Sequence, residues 1–277
     1  MSPGSDWVTV RVSPGVHSAE VAAALFAAGA SSIQELGESL ITHVETQALA
    51  NRLASAAHAA SAQVHVETEP LPDVDWSMEW RRSIRAHRAG TLTIAPPWLA
   101  TDLDLARSVV IEPAMAFGTG EHPTTRGVIR LLHSVIRGGD RAADLGAGSA
   151  VVAIAAAKLG AASVAAIEID ADAIGNAEAN VRRNDVASVV SVIEGDAATL
   201  LPLVAPVRVI TANIISSVLM DLLPAITLAI DDDGRAILAG ILAAERDQMI
   251  AAVTAWGWRM EAEDTEEAWW SVTIARG

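Results

Sequence analysis

The stretch from Ala142 to Leu159 constrains this chain more than any other. A short apolar segment, Ala142-Ala143-Asp144-Leu145, runs into glycines at alternate positions, Gly146 and Gly148. It then passes through Ser149 and Ala150 into an alanine-rich run that Gly160 closes. The pattern predicts a strand, a tight turn and a helix whose N-terminus faces outward. Glycine belongs in such a turn because a side chain would hold the backbone away from a ligand or resist the turn dihedrals. The unpaired N–H groups of the helix start favour a ligand carrying a carboxylate or phosphate. The next apolar run, Val164 to Ile169, ends at Glu168 and Asp170. An acid roughly 20 residues past the glycine turn is placed to accept hydrogen bonds from both ribose hydroxyls. A nucleoside-containing ligand is therefore expected.

The dinucleotide fingerprint G-x-G-x-x-G would need a glycine at Val151. The spacing G-x-G-x-G after an acid instead resembles the first motif of S-adenosylmethionine-dependent methyltransferases. Ala150 stands in the place of its third glycine, which adds a methyl group where helix and strand pack.

Composition narrows the class. The chain has 277 residues, enough for two modest domains or one large one. It has no cysteine, so disulfides, thiolate metal sites and a cysteine nucleophile are excluded. No apolar run reaches the roughly 18 residues that a membrane span needs, and no secretory leader is visible, so a cytoplasmic protein with no membrane partner is expected. The net charge of −15 opposes contact with a bare nucleic-acid backbone and attracts basic partners, or else it serves solubility alone.

From the N-terminus, Trp7 to Val12 alternates like a half-buried strand, and Ser18 is read as the cap of a helix that Gly29 stops. Two short strands flank Gly37-Glu38-Ser39, a helix covers Thr46 to Ala60, and a strand follows from Gln63 to Thr68. This βαββαβ order predicts a ferredoxin-like α+β domain over residues 1–69. Residues 70–90 read as a linker with a short helix, since Pro70 and Pro72 stiffen the chain and Trp76 and Trp80 share a helical face. Arg81, Arg82, Arg85 and Arg88 form the one dense basic cluster, which contacts RNA or an acidic surface or merely balances nearby carboxylates.

Residues 91–277 alternate strand and helix, which implies an α/β domain with a mostly parallel sheet covered on both faces. Two closing strands, Arg259 to Glu263 and Trp269 to Ala275, form an antiparallel hairpin. The loop Glu112 to Thr125 is rich in small residues and hydroxyls, as a lid over a polar ligand would be, and Thr124 or Thr125 is read as the cap of the next helix. His122 is a ligand, a base or a hydrogen-bonding loop residue. Asp196 sits near the adenine edge of a nucleoside or caps the following helix.

The runs A-M-A-F-G-T-G-E-H-P-T-T, D-L-G-A-G-S-A, A-I-E-I-D and T-A-N-I-I resemble the PrmA family, as does the D-W-S-M-E-W linker. Those enzymes methylate protein eleven of the large ribosomal subunit. The resemblance covers essentially the whole chain and implies a Rossmann-like class I methyltransferase sheet behind a small substrate-recognition domain. It also implies S-adenosylmethionine as cofactor, no metal, and a basic ribosomal protein as partner, with no nucleic acid required and a monomeric enzyme. Thr125, Gly146, Glu168 and Asn213 match the family's cofactor-contacting positions, and Gly148 and Asp196 are expected beside them. The loop Phe117 to His122 would fold over the methionine end, with Phe117, Gly118 and Thr119 as cofactor contacts. Glu168 stands where the family usually has aspartate, which calls for a deeper ribose pocket. With an activated methyl donor, catalysis needs mainly an aimed nucleophile. Asn213, at the carboxyl end of the fourth strand of this sheet, is the expected aiming residue, with Ile214 walling the pocket.

Overall fold

The computed structural model describes residues 7–37, 39–70, 84–113 and 120–277. The chain divides into two compact units, Met1–Ser83 and Ile84–Gly277.

The first unit follows the βαββαβ order. Strands β1 (Val8–Ser13), β2 (Gln34–Leu36), β3 (Ser39–Val44) and β4 (His65–Pro70) form an antiparallel sheet in the order β2-β3-β1-β4. Alternation along β1 sends Val8, Val10 and Val12 inward. There they pack on Val21 and Leu25 of helix α1 (Ser18–Ala27) and on Ala50, Leu53 and Ala57 of helix α2 (Gln47–Ala60). Thr46 caps α2 through Leu49 N–H. Ser18 does not cap α1: it is the first helical residue, after a short 3-10 turn over Gly15–His17, and no side-chain cap is present. The expected linker helix around Trp76 and Trp80 lies outside the described residues, as do Arg81 and Arg82.

The second unit opens with a small sheet, β5 (His87–Ala89), β6 (Leu92–Ala95) and β7 (Ser108–Val110). Strand β5 falls in a segment whose arginines hide it from pattern reading; it pairs antiparallel with β6. The carboxamide of Asn184 imitates a neighbouring strand for β7, accepting from Val110 N–H at 2.8 Å and donating to Val110 O at 2.7 Å. Asn180 similarly accepts from Glu112 N–H at 2.9 Å. These bonds fix the chain from Val110 to Glu112.

The main sheet has seven strands in the order β10-β9-β8-β11-β12-β14-β13. They are β8 (Arg141–Leu145), β9 (Ser163–Glu168), β10 (Val190–Glu194), β11 (Val207–Asn213), β12 (Ile230–Leu242), β13 (Trp258–Glu266) and β14 (Trp269–Arg276). The first five are parallel, and β14 joins antiparallel between β12 and β13. The strand order reverses between β8 and β11, the switch point at which open α/β sheets bind ligands. Residues Ala142, Val164, Val209 and Ile237 face one apolar core, and Ala143, Leu145, Ile210, Ala212 and Leu238 face the other. Helices α3 (Pro123–Val135), α4 (Val151–Lys158) and α5 (Ala171–Arg183) cover the first face. Helices α6 (Ala197–Val204), α7 (Ser216–Ala229) and α8 (Arg246–Ala255) cover the second. Among the described residues no helix is long and apolar enough to cross a membrane.

Candidate functional site

A pocket of about 590 Å³ opens at the carboxyl ends of the parallel strands, within the size range of small-ligand sites. Successive strand ends supply its walls: Gly146 and Gly148 after β8, Ile167 and Glu168 of β9, Gly195 and Asp196 after β10, Asn213 and Ile214 at the end of β11, and Gly240 of β12.

The glycine turn is held by the strand beside it, since the N–H groups of Gly146 and Ala147 both donate to Ile167 O, at 2.9 and 3.0 Å. Gly146 has φ +67°, and a Cβ there would lie 2.9 Å from the Ile214 side chain. Ala150 has φ +64° and is fully buried. A glycine at this third position is thus favoured by backbone conformation as well as by helix–strand packing, and alanine bears a left-handed strain of about 1–2 kcal/mol.

One N–H of the turn, one near the start of α4 and one after β9 are given to acids of the chain itself. Gly148 N–H donates to Glu168 Oε2 at 2.7 Å, and Asp170 N–H to Glu168 Oε1 at 2.9 Å. Each carboxylate oxygen keeps acceptor capacity, so Glu168 lines the pocket with its orientation already set. Near the start of α4, Ala153 N–H donates to Asp144 Oδ2 at 3.1 Å. The expected display of these donors to a ligand is replaced here by fixing of the two acids. Asp144 also accepts from Thr211 Oγ1 at 2.6 Å. Burial is the main cause that pushes its carboxyl up to about 7, aided by the Glu168 charge and opposed by both hydrogen bonds.

Asp196 lines the pocket and caps α6 as well. Its Oδ2 accepts from Thr199 Oγ1 at 2.7 Å and Thr199 N–H at 3.0 Å, bonds that hold its carboxyl below the usual range.

At the opposite wall the cap of α3 is His122, not Thr124 or Thr125. Its Nδ1 accepts from Thr124 N–H at 3.3 Å and lies 2.8 Å from Thr124 Oγ1. Accepting from a backbone N–H leaves the ring proton on Nε2. Burial, then the Arg126 charge, lowers its pKa, with Glu267 opposing. Trp269 packs edge-on to this ring, with centroids 4.8 Å apart. Thr125 does not line the pocket; it sits in the first turn of α3, fully buried, and its hydroxyl has no hydrogen-bond partner among the described residues.

Of the residues expected from sequence, the structure therefore brings Gly146, Gly148, Glu168, Asp196 and Asn213 to one pocket, with Thr125 in the helix turn beside it. Phe117, Gly118 and Thr119 lie outside the described residues. Sequence reading missed Gly195, Gly240 and Trp269. Gly240 has φ +83°, and a Cβ there would meet Ile214 O at 2.5 Å, so glycine is required where β12 passes under the residue after Asn213. No group of residues among those described could hold a metal ion.

Residues 20–277 match the family described as Ribosomal protein L11 methyltransferase (PrmA). The chain belongs to the PrmA family. A relative named Ribosomal protein L11 methyltransferase, from Exiguobacterium sp., is 34% identical over 76% of this chain and 68% of its own length. A protein of the same name from Lacticaseibacillus paracasei is 40% identical over 64% and 57%, and one from Synechococcus sp. is 33% identical over 84% and 79%. Several of the relatives it matches are thus covered over less than two thirds of their length, including those of Streptococcus mutans at 66% and Streptococcus pyogenes at 65%. Among solved structures, ribosomal protein L11 methylase from Lactobacillus delbrueckii subsp. bulgaricus superposes with a TM-score of 0.62 at 26% identity. It covers 70% of this chain and 99% of its own. S-adenosylmethionine is the methyl donor implied by the PrmA family and this Rossmann-like sheet. The pocket fits it: an oriented carboxylate, glycines where a Cβ would intrude, apolar walls from Ile167 and Ile214, and the unpaired Thr125 hydroxyl alongside.

Proposed function

We propose that this chain binds S-adenosylmethionine in the pocket at the strand ends and methylates lysine side-chain and N-terminal amines of ribosomal protein L11. One observation carries the reading: the pocket joins the fixed Glu168 carboxylate, suited to a ribose diol, to the Asn213 carboxamide at the far strand end. Bound there, the cofactor supplies an electrophilic methyl group. Glu168 accepts from the ribose hydroxyls, Asp196 and the apolar residues around it hold the base, and Thr125 offers its hydroxyl beside the site.

Asn213 aims the acceptor. Its carboxamide oxygen accepts from an amine N–H and turns the nitrogen lone pair towards the methyl carbon, which removes an orientational barrier. A free lysine titrates near 10.4, so the amine must shed a proton before attack. The lining of Ile214, Ile215, Val218, Leu222 and Trp269 favours the neutral form by withholding water from the charged one.

The first unit serves substrate recognition in this reading. Residues 1–69 are acidic, with Asp6, Glu20, Glu35, Glu38, Glu45, Glu67 and Glu69 against Arg11 and Arg52, and charge of this sign draws a basic protein. The same acidity suits an enzyme that works as a cytoplasmic monomer without nucleic acid. Incubation with methyl-labelled cofactor and total ribosomal proteins tests the proposal: label should enter L11, and label confined to another protein or to none would refute it.

A further inference from the structure

The hairpin that carries Trp269 bears an acid that makes no hydrogen bond or ion pair among the described residues. Along β13 and into the turn, the other acids have partners. Glu261 accepts from Arg235 and Arg259, and Glu263 from Arg246 and the Trp270 indole. Asp264 accepts from Arg130 at 2.8 Å, and Glu266 from Arg126 and Arg130. Glu267 is exposed and has no hydrogen bond or ion pair among the described residues.

Its position is held firmly. Glu266 pairs with Trp269 across the hairpin, so Glu267 and Ala268 make the turn. Arg126, largely buried, donates to the Glu266 carboxylate and to the carbonyls of Gly120 and Glu121, tying the turn to the chain that leads into His122. Gly127 lets α3 approach this closely, since a Cβ there would lie 2.8 Å from Ser271 Oγ. Glu267 itself has φ +56°, in a turn position where glycine is the usual residue. Its carboxylate lies close enough to act electrostatically on His122, which lines the pocket and packs on Trp269.

We propose that Glu267 is a specificity-determining residue that receives the protonated amine of the substrate at the pocket mouth, before that amine enters beside Trp269. The ligand it selects is a primary alkylammonium group, as on a lysine side chain or a chain N-terminus. The pocket beyond is mostly apolar, so cation recognition and neutral-amine chemistry occupy different places along one path. This role rests on the reading of the chain as an amine methyltransferase.

Steady-state methylation of recombinant L11 by the full chain tests it, with wild type, Glu267→Gln and Glu267→Gly compared at low and high salt. Glu267→Gln removes charge and keeps shape, while Glu267→Gly removes charge and relieves the turn. Both should raise KM for L11 roughly fivefold, the scale of one exposed ion pair, and leave kcat within about twofold. Cofactor affinity by calorimetry should not change, and the wild type should lose more of its kcat/KM on adding salt than either variant. A wild-type KM in either variant, or a loss confined to kcat, would overturn the role of Glu267. Absence of any L11 turnover by the wild type would instead overturn the functional reading beneath it.

Discussion

The Asp144→Asn substitution should change how stability depends on pH. Asp144 lies in the first apolar layer beneath α4, buried, and its carboxyl is raised from 3.8 to about 7, chiefly by burial. The folded chain therefore holds this proton to higher pH than the unfolded chain does. The stabilisation from Asp144 is complete below 3.8, declines as pH rises, and is gone once pH passes about 7. The slope approaches about 1.4 kcal/mol per pH unit between those values, so going from pH 5 to pH 8 costs about 2–3 kcal/mol. Asparagine cannot ionise. Its Oδ1 can keep the Ala153 N–H bond while its amide donates to Thr211 Oγ1, whose own proton can turn to Ala143 O, 3.5 Å away. At pH 5 the variant should lose no more than about 1 kcal/mol, the worth of one weakened hydrogen bond. At pH 8 it should equal or exceed the wild type. Urea unfolding of both proteins at several pH values from 5 to 8 reads the difference directly. Two profiles that run parallel across this range would refute the reasoning, because a buried carboxyl that never titrates there cannot supply the slope.

Three further outcomes are expected. Gly146→Val should weaken cofactor binding at least about tenfold in calorimetry while circular dichroism stays native, since φ +67° and the Ile214 side chain leave no room for a branched residue; unchanged affinity would remove the turn from the site. Asn213→Ala should keep most cofactor affinity while single-turnover methyl transfer slows by roughly a hundredfold, the scale of a misplaced reactant, and a near-normal rate would make Asn213 structural only. A chain beginning at Asp75 should bind S-adenosylmethionine as the full chain does but fail on intact L11; methylation at the full rate would place recognition in the second unit.

The parts of the site that sequence reveals are those whose chemistry is local. Gly146, Gly148 and Glu168 follow one another through a single strand–turn–helix–strand passage, so spacing alone brings them together. Asn213 is found by the same rule, as the polar residue that ends an apolar strand. Gly240 carries no such mark. Its need for glycine arises from the Ile214 backbone, whose carbonyl oxygen would lie 2.5 Å from a Cβ placed there, a contact between different strands. Trp269 is invisible for a similar reason, because only the insertion of β14 between β12 and β13 brings it to His122. Sequence leaves His122 open as ligand, base or loop residue, because its capping of Thr124 depends on how the backbone enters α3. The short strand β5 escaped because three residues, His-Arg-Ala, hold too little pattern for a strand and take their partner from β6.

The placement of β14 also orders the assembly of the site in time. Gly146, Glu168, Asn213 and Gly240 are all made before Trp269, yet the wall that Trp269 forms stands among them. In order of synthesis, the glycine turn and Glu168 are therefore present well before this wall. The Trp269 side of the pocket is thus the last to be supplied in chain order, and it waits on the strand that inserts between β12 and β13.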